Sequence, residues 1–365
     1  MTESDKLRIT ISDIISFVGT VATLIGIGVA PSLLAKTIFG LLFLVGGWWF
    51  IKNMSRFLRR SPSPYHPSEI VTPPDFVGRT ALLRQLDVAL KNTESLSVVG
   101  EQRMGKTSLL KTWQQQLQTT GRVVVFVDGL QTAALLPALI DAITQQNAPN
   151  NPDPAANVLQ QWAVETATAT GLLPLLLIDE AENFLENLPR RFFERVRGML
   201  QEKQLVIIFA TSREMNRIFA DMDKTSPLSL RLLHLDLLEV SSRDSIIARG
   251  NFTPQQVELI QTWAGCHPFY LQLLGQCLID ARQNGANDEV ALRNFQTNAA
   301  ARFNKLWKNL TEEERQSLQA ACQSEQKIQR RSLKERGLVT EDGQLFGKVL
   351  QEWLLESVPS NSHSG

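Results

Sequence analysis

Apolar positions along this chain follow three different patterns, and each predicts a different kind of element. The first is continuous. Residues 14–30 (IISFVGTVATLIGIGVA) carry no charge, and residues 33–51 (LLAKTIFGLLFLVGGWWFI) carry only Lys36. Each run approaches the ~20 residues an α-helix needs to cross a ~30 Å hydrocarbon core. With Pro31 and Ser32 as the turn and Lys36 placed to snorkel, the two runs predict a transmembrane hairpin in contact with the lipid bilayer through residues 14–51.

The second pattern is short. Apolar runs at 96–99, 122–128, 172–178, 205–212 and 232–235 are bounded by charged or turn-forming residues, which predicts strands. The run ending in LLLID is the most apolar of them, the mark of a central parallel strand covered on both faces. The third pattern has helical spacing, as in Phe76, Leu82, Leu83, Leu86 and Leu90. Strands alternating with helices give βαβ units and so an α/β, doubly wound parallel sheet, whose ligands sit at the C-terminal strand ends.

Charge distribution refines the N-terminal reading. Lys52, Arg56, Arg59 and Arg60 cluster after the second apolar run, and Trp48 and Trp49 stand where interfacial anchors are expected, so both ends of the hairpin are expected on the cytoplasmic side. A cleaved signal peptide fits poorly, because the acidic start MTESD is a weak n-region and a second apolar run follows at once. Residues 59–76 then carry Pro62, Pro64, Pro67, Pro73 and Pro74, a density that prevents helix continuation and predicts an extended stalk holding the next domain off the bilayer.

Over its 365 residues the chain has 37 basic and 37 acidic side chains, a formal charge of zero that gives no global attraction to nucleic acid. Its three cysteines, Cys266, Cys277 and Cys322, show no metal-ligand spacing and read as buried thiols. Only four histidines are present, and no Ser/His/Asp set or metal cluster emerges from the sequence.

The candidate chemistry sits on the strand ends. The stretch Gly100, Glu101, Gln102, Arg103, Met104, Gly105, Lys106, Thr107, Ser108 completes G-x-x-x-x-G-K-[ST] between a predicted strand and a predicted helix. Backbone N–H groups of such a loop face phosphates, Lys106 reaches the β/γ oxygens and Thr107 binds Mg²⁺. Asp179 and Glu180 end the most apolar strand. Two acids there suit ATP chemistry, with Asp179 in the Mg²⁺ shell and Glu180 polarising the attacking water. Thr211, Ser212 and Arg213 follow the next strand, which would bring a cation beside the γ-phosphate, a surface salt bridge being the alternative.

Taken in order, FVGR, GEQRMGKTS, LLLIDEAENF, IIFATSRE and SPLSLRLLHLDLLEV resemble the STAND and origin-recognition-like branch of AAA+-related P-loop ATPases, from about Phe76 onward. The resemblance implies a sensor role for Arg213, and a role for Arg231 in sensing or completing a neighbouring site, hence ATP-dependent self-association. It also implies a helical lid in which His267 and Pro268, within WAGCHPFYLQLLGQCL, lie near the nucleotide; the residues themselves leave His267 open as a capping or core histidine.

At the C-terminus, LTEEERQSLQAAC has a capping Thr311 with Glu314 three residues on. RRSLKERGLV forms a helix ended by Gly337, and Asp342-Gly343 forms a turn between short strands, which fits a small winged-helix unit. Five cations in residues 327–336 against Glu335 could enter a DNA groove or form a solvated or protein-binding face, the second being favoured. The expected organisation is a transmembrane hairpin (1–60), Pro-rich linker (61–75), P-loop core (76–240), lid (241–302), winged-helix-like domain (303–356) and disordered tail (357–365). The expected function is a membrane-anchored, ATP-hydrolysing switch for an unidentified protein partner. Two rivals remain at this point, a tethered DNA-binding ATPase and a non-hydrolysing nucleotide-binding scaffold.

Overall fold

In the computed structural model the described residues are 44, 47, 48, 63–129, 139, 143, 152–222, 224–324 and 327–357. The expected hairpin and the tail fall almost entirely outside them. Leu44 and Trp48 are helical and exposed. Among the described residues no helix is long and apolar enough to cross a membrane.

From Ser63 the chain first makes an irregular strap and then α1 (Thr80–Lys91), β1 (Leu96–Val99), α2 (Lys106–Gln118) and β2 (Val124–Asp128). Next come α3 (Pro152–Thr170), β3 (Leu175–Asp179), α4 (Glu182–Asn187), α5 (Arg190–Gln201), β4 (Val206–Thr211), α6 (Met215–Ala220) and β5 (Arg231–His234). The five strands pair in the order β2-β3-β4-β1-β5, and every pairing is parallel. Strand alternation explains the two layers of the core. Leu175, Leu177, Val206, Ile208 and Ala210 pack towards α1 and α2 with Leu86, Leu109 and Trp113. Leu176, Ile178, Ile207 and Phe209 face α3 to α6 with Leu159, Phe184, Phe193 and Phe219. Both faces of β3 and β4 are therefore dry, which is why their sequences are uninterrupted apolar runs rather than alternating ones.

After β5 the chain is helical: α7 (Val240–Ala248), α8 (Pro254–Ala264), α9 (Pro268–Asn284), α10 (Asp288–Lys308), α11 (Glu312–Ser324), α12 (Arg331–Glu335) and α13 (Lys348–Ser357). Caps set these starts. Thr253 and Gln256 form a capping box at α8, and Asn287 caps α10. At α11 Thr311 Oγ1 accepts from the Glu314 N–H (3.2 Å) while Glu314 Oε2 accepts from the Thr311 N–H (3.0 Å), the reciprocal pair expected from the sequence. Gly337 ends α12 at φ 69, and Thr340 to Gln344 make a tight turn beside an antiparallel Val339–Leu345 bridge. Phe269, Tyr270, Phe295, Phe303, Phe346 and Trp353 belong to one continuous core, so α7 to α10 and α11 to α13 share apolar packing.

Two expectations change here. The proline-rich segment is not free of the core from Ser63 onward. Tyr65 is 2% exposed, its hydroxyl donates to the carbonyls of Ile246 and Ile247 (3.0 Å each), and its ring stacks on Phe252. Gly275 of α9 makes room for it, since a Cβ there would stand 2.7 Å from the Tyr65 ring. Proline still prevents a helix, but the extended chain is laid down as a strap. The helix expected in RRSLKERGLV is also short, α12 covering only Arg331–Glu335, so the cations Lys327 and Arg330 precede it.

Candidate nucleotide site

The loop after β1 is shaped by what surrounds it. Gly100 continues the sheet, its N–H bonded to Thr211 O at 3.1 Å, and Gly105 adopts φ 92 to start α2 at Lys106. The first-turn N–H groups of α2 therefore point out of the sheet edge, where the helix end also favours an anion. Lys106 is 4% exposed; its Nζ donates to the carbonyls of Gly100 (2.9 Å) and Glu101 (3.5 Å). Met104 is buried, and its carbonyl accepts from Arg79 at 3.3 Å. Arg79, held at φ 60 and 5% exposed, also donates to Leu237 O, so FVGR ties the loop to the chain after β5.

Asp179 ends β3 beside this loop. Its Oδ2 accepts from Thr107 Oγ1 at 2.5 Å, and its Oδ1 is buried with no partner. Burial pushes the Asp179 carboxyl above its ordinary range, against the opposing pull of Thr107 and Lys106. Glu180 follows at φ 45, a left-handed conformation that costs an ordinary residue energy and turns the chain sharply off the strand. Gly129 permits that turn, since a Cβ there would lie 2.4 Å from Glu180 O. Glu180 is half-buried, and burial raises its carboxyl as well. Further unpartnered buried oxygens at the same sheet edge are Glu182 Oε2 and Thr211 Oγ1. Hard oxygen donors from Thr107 and Asp179, one of them orphaned, fit Mg²⁺.

A cleft of about 490 Å³ opens here, lined by Gln102 to Ser108, Asp128, Asp179 and Glu180 on one side and by Val77, Leu238, Ile246, Pro268 and Phe269 on another. It joins a polar, phosphate-sized end to an apolar slot. The strap closes one wall through Pro67 to Val71, and the Val71 N–H donates to Ser108 Oγ at 3.0 Å.

The structure gathers Gln102, Arg103, Met104, Gly105, Lys106, Thr107, Ser108, Asp179, Glu180 and Pro268 at this cleft, with Gly100 and Glu101 behind the loop. Ser108 spends its hydroxyl on the strap, and the Glu101 carboxylate bonds Arg336 at 2.6 Å. Three residues are not brought in. Arg213 is at the correct sheet edge but faces Asp221 and Glu186. Arg231 opens β5 in register with Leu96, at the opposite end of the sheet from the loop, paired with Glu94. His267 is a core histidine, 4% exposed between Tyr270 and Phe346, and burial together with Arg79 lowers its pKa to about 3.

Sequence reasoning missed Asp128, whose register pairing with Asp179 puts a third acid at the cleft. It also missed Glu182, whose Oε1 accepts from the Ser212 N–H, and Lys111, which lies over the Phe126 ring at 3.4 Å. The position of Glu182 within DEAEN, two residues past Glu180, was the available signal. The cations of 327–336 mostly face acids: Arg330 with Glu313, Arg331 with Glu335, Lys334 with Glu341, and Arg336 with Glu101 and Glu314. That neutralises the stretch and weakens its fit to a DNA groove.

Residues 88–219 match the family model for an AAA domain. This segment is an AAA-type P-loop domain. No curated protein sequence matches the chain. Among solved structures, the chain is similar to a Walker-type ATPase of Pyrococcus abyssi, with TM-score 0.57 at 15% identity, over 78% of this chain and 97% of that one. It is also similar to Drosophila ORC bound to DNA, with TM-score 0.47 at 14% identity over 71% and 70% of the two chains. The Orc1 protein of Aeropyrum pernix in complex with DNA gives 0.42 at 14% identity over 68% and 72%. The Pyrococcus likeness shows a shared fold. Within the AAA domain lie the loop, Asp179, Glu180 and Arg213, whereas Arg231, His267 and the strap lie outside it.

Proposed function

We propose that the protein binds and hydrolyses ATP as a STAND/AAA+-like switch. We further propose that residues 14–51 hold it in a membrane, two-pass, with the AAA domain in the cytoplasm, and that its output is signalling or assembly through a protein partner. The single observation that supports turnover is the juxtaposition of Lys106 and Thr107 with an orphaned Asp179 oxygen and a half-buried Glu180 at one strand end.

In this reading Lys106 leaves the Gly100 and Glu101 carbonyls to meet the β- and γ-phosphate oxygens, and the N–H groups of α2 cradle them. Thr107 and Asp179 hold Mg²⁺, which supplies charge neutralisation on those oxygens when bound. Glu180 orients a water molecule against the γ-phosphorus and accepts its proton as the new P–O bond forms and the bond to ADP breaks. A carboxyl raised by burial is a better base than one in water. The helical unit after α10, with its hairpin-like turn, supports a winged-helix-like output module whose position responds to the nucleotide.

Glu180→Gln keeps shape and hydrogen-bonding reach but removes basicity. It should hold ATP with parental affinity and lower single-turnover phosphate release by about 10² to 10⁴. Release at the parental rate would remove Glu180 as the base. For the anchor, full-length protein should stay in the pellet after carbonate extraction while a form beginning at Ser61 is released; equal retention of both would sink the anchor and leave the ATPase reading intact.

A further inference from the structure

Three side chains that the nucleotide reading leaves unused converge at the C-terminal edge of the sheet. Glu214 follows β4, His234 ends β5 and Glu335 ends α12. Each offers one donor atom, a carboxylate oxygen or an imidazole nitrogen, and the three atoms lie within 4.8 Å of one another. All three residues are half-buried. They line a hollow of about 30 Å³ whose wall includes Gly100 and Glu101 of the phosphate loop. That is room for a single ion or water molecule.

Two of the three are otherwise unpartnered. Among the described residues the Glu214 carboxylate makes no hydrogen bond or ion pair. His234 Nδ1 is buried with no hydrogen-bond partner, and Nε2 stands 3.8 Å from Glu335 Oε1, beyond hydrogen-bond reach. Glu335 Oε1 accepts from Arg331 Nε at 2.6 Å, but the Arg331 side chain is 86% exposed, which makes the pair a weak restraint. Two other cations of the lining are engaged elsewhere, Arg213 with Glu186 and Asp221, and Arg336 with Glu101 and Glu314. Arg217 is the remaining cation of the lining. Two carboxylates and an imidazole drawn partly out of water without donors are costly unless something binds them. The donor set names the class of ion. An imidazole nitrogen with carboxylate oxygens suits Zn²⁺, which takes both at ~2.0–2.2 Å, whereas Mg²⁺ takes oxygen ligands, as Thr107 and Asp179 offer. Rotation of the two long glutamate side chains closes the set on an ion.

We propose that Glu214, His234 and Glu335 bind a zinc-class transition-metal dication, with water completing its coordination, at a site separate from the Mg²⁺ position. Glu214 lies in the AAA domain and Glu335 in the C-terminal helical unit, so the ion staples that unit to the sheet behind the phosphate loop. Because it binds the docked arrangement, the ion stabilises that arrangement in proportion to its occupancy. The inference rests on neither ATP binding nor turnover.

The test uses full-length protein, freed of metal by a chelator and of nucleotide, titrated with Zn²⁺ by calorimetry and with Co²⁺ by absorption. Co²⁺ should give visible d–d bands without the near-ultraviolet charge-transfer band that a thiolate of Cys266, Cys277 or Cys322 would add. His234→Gln, Glu214→Gln and Glu335→Gln, each on a different segment, should each weaken Zn²⁺ binding at least ~10-fold, the lower end of the cost of losing even an outer-shell partner. Arg217→Gln and Arg331→Gln each remove a competing cation and should tighten it, which loss of packing alone would not do. Excess Mg²⁺ should leave Zn²⁺ bound. Zn²⁺ affinity unchanged in His234→Gln or in both glutamate variants, a thiolate band with Co²⁺, or binding abolished by Asp179→Asn would overturn the proposal.

Discussion

The two ends of one five-stranded sheet make a controlled comparison. β1 and β5 run side by side, pairing Val99 with His234 at one end and Leu96 with Arg231 at the other. At the first end the chain leaves β1 into the phosphate loop, and Lys106 is packed against carbonyls with almost no exposed surface. At the second, Arg231 and Glu94 form an ion pair with both side chains well exposed. Both residues are cations beside a core strand. Only strand direction distinguishes them, because parallel strands gather loops, helix N-termini and acidic ends at the C-terminal edge and leave the opposite edge to solvent.

That contrast is sharpest for ligand affinity. Lys106→Ala should weaken ATP binding roughly 100-fold or more, the loss expected when a buried charged contact is truncated, measured by calorimetry on full-length protein. An affinity within a factor of two of the parent would show that the two ends are equivalent for ATP and that the cradle is not the site.

A smaller effect tests whether His267 belongs to the nucleotide end or to the core. With its pKa pulled from 6.5 to about 3, folded His267 stays neutral while the unfolded chain takes up a proton. Its contribution to stability is therefore intact above about pH 6.5 and is lost as pH falls towards 3, by at most ~1.4 kcal/mol per pH unit. His267→Leu should flatten the decline in thermal stability between pH 7 and 5. Parallel declines in the two proteins would show that the histidine is not a core group of this kind.

The smallest effect belongs to the other end. Arg231→Ala should cost less than ~1 kcal/mol, the usual worth of an exposed ion pair, and should leave ATP turnover and ATP-dependent sedimentation unchanged. A fall in turnover or a loss of association would mean that Arg231 reaches a phosphate on another copy, and the simple division between the two ends would break.

These outcomes track what could be read from the residues alone. The loop, Lys106, Thr107, Asp179 and Glu180 were legible because their order along the chain is their order in the chemistry, and β3 and β4 were legible because burial on both faces leaves an uninterrupted apolar run. Thr311 with Glu314 announced its cap through a local spacing. Arg231 stands at the start of its strand, so a parallel sheet already puts it at the edge away from the loop; its proposed role in a neighbouring site came from the resemblance alone. His267 sits in a motif that resembles a nucleotide contact, and only packing against Tyr270 and Phe346 shows it turned inward. Glu101 with Arg336 is 235 residues apart and Tyr65 with Ile246 is 181 apart, and no local pattern encodes such pairs.

The strap also fixes where this protein can be cut. The AAA match begins at residue 88 and the motif FVGR at Phe76, and either would be a natural place to start a shortened version. Both starts would discard Tyr65, leaving Gly275 facing an empty ring-shaped slot and the carbonyls of Ile246 and Ile247 without their donor. Both would also remove Val71, whose N–H engages Ser108 just after the phosphate loop. A start at 88 would take Arg79 as well, and with it the bond to Met104 in the loop. A piece that keeps its own nucleotide wall begins no later than Tyr65, eleven residues ahead of the first motif.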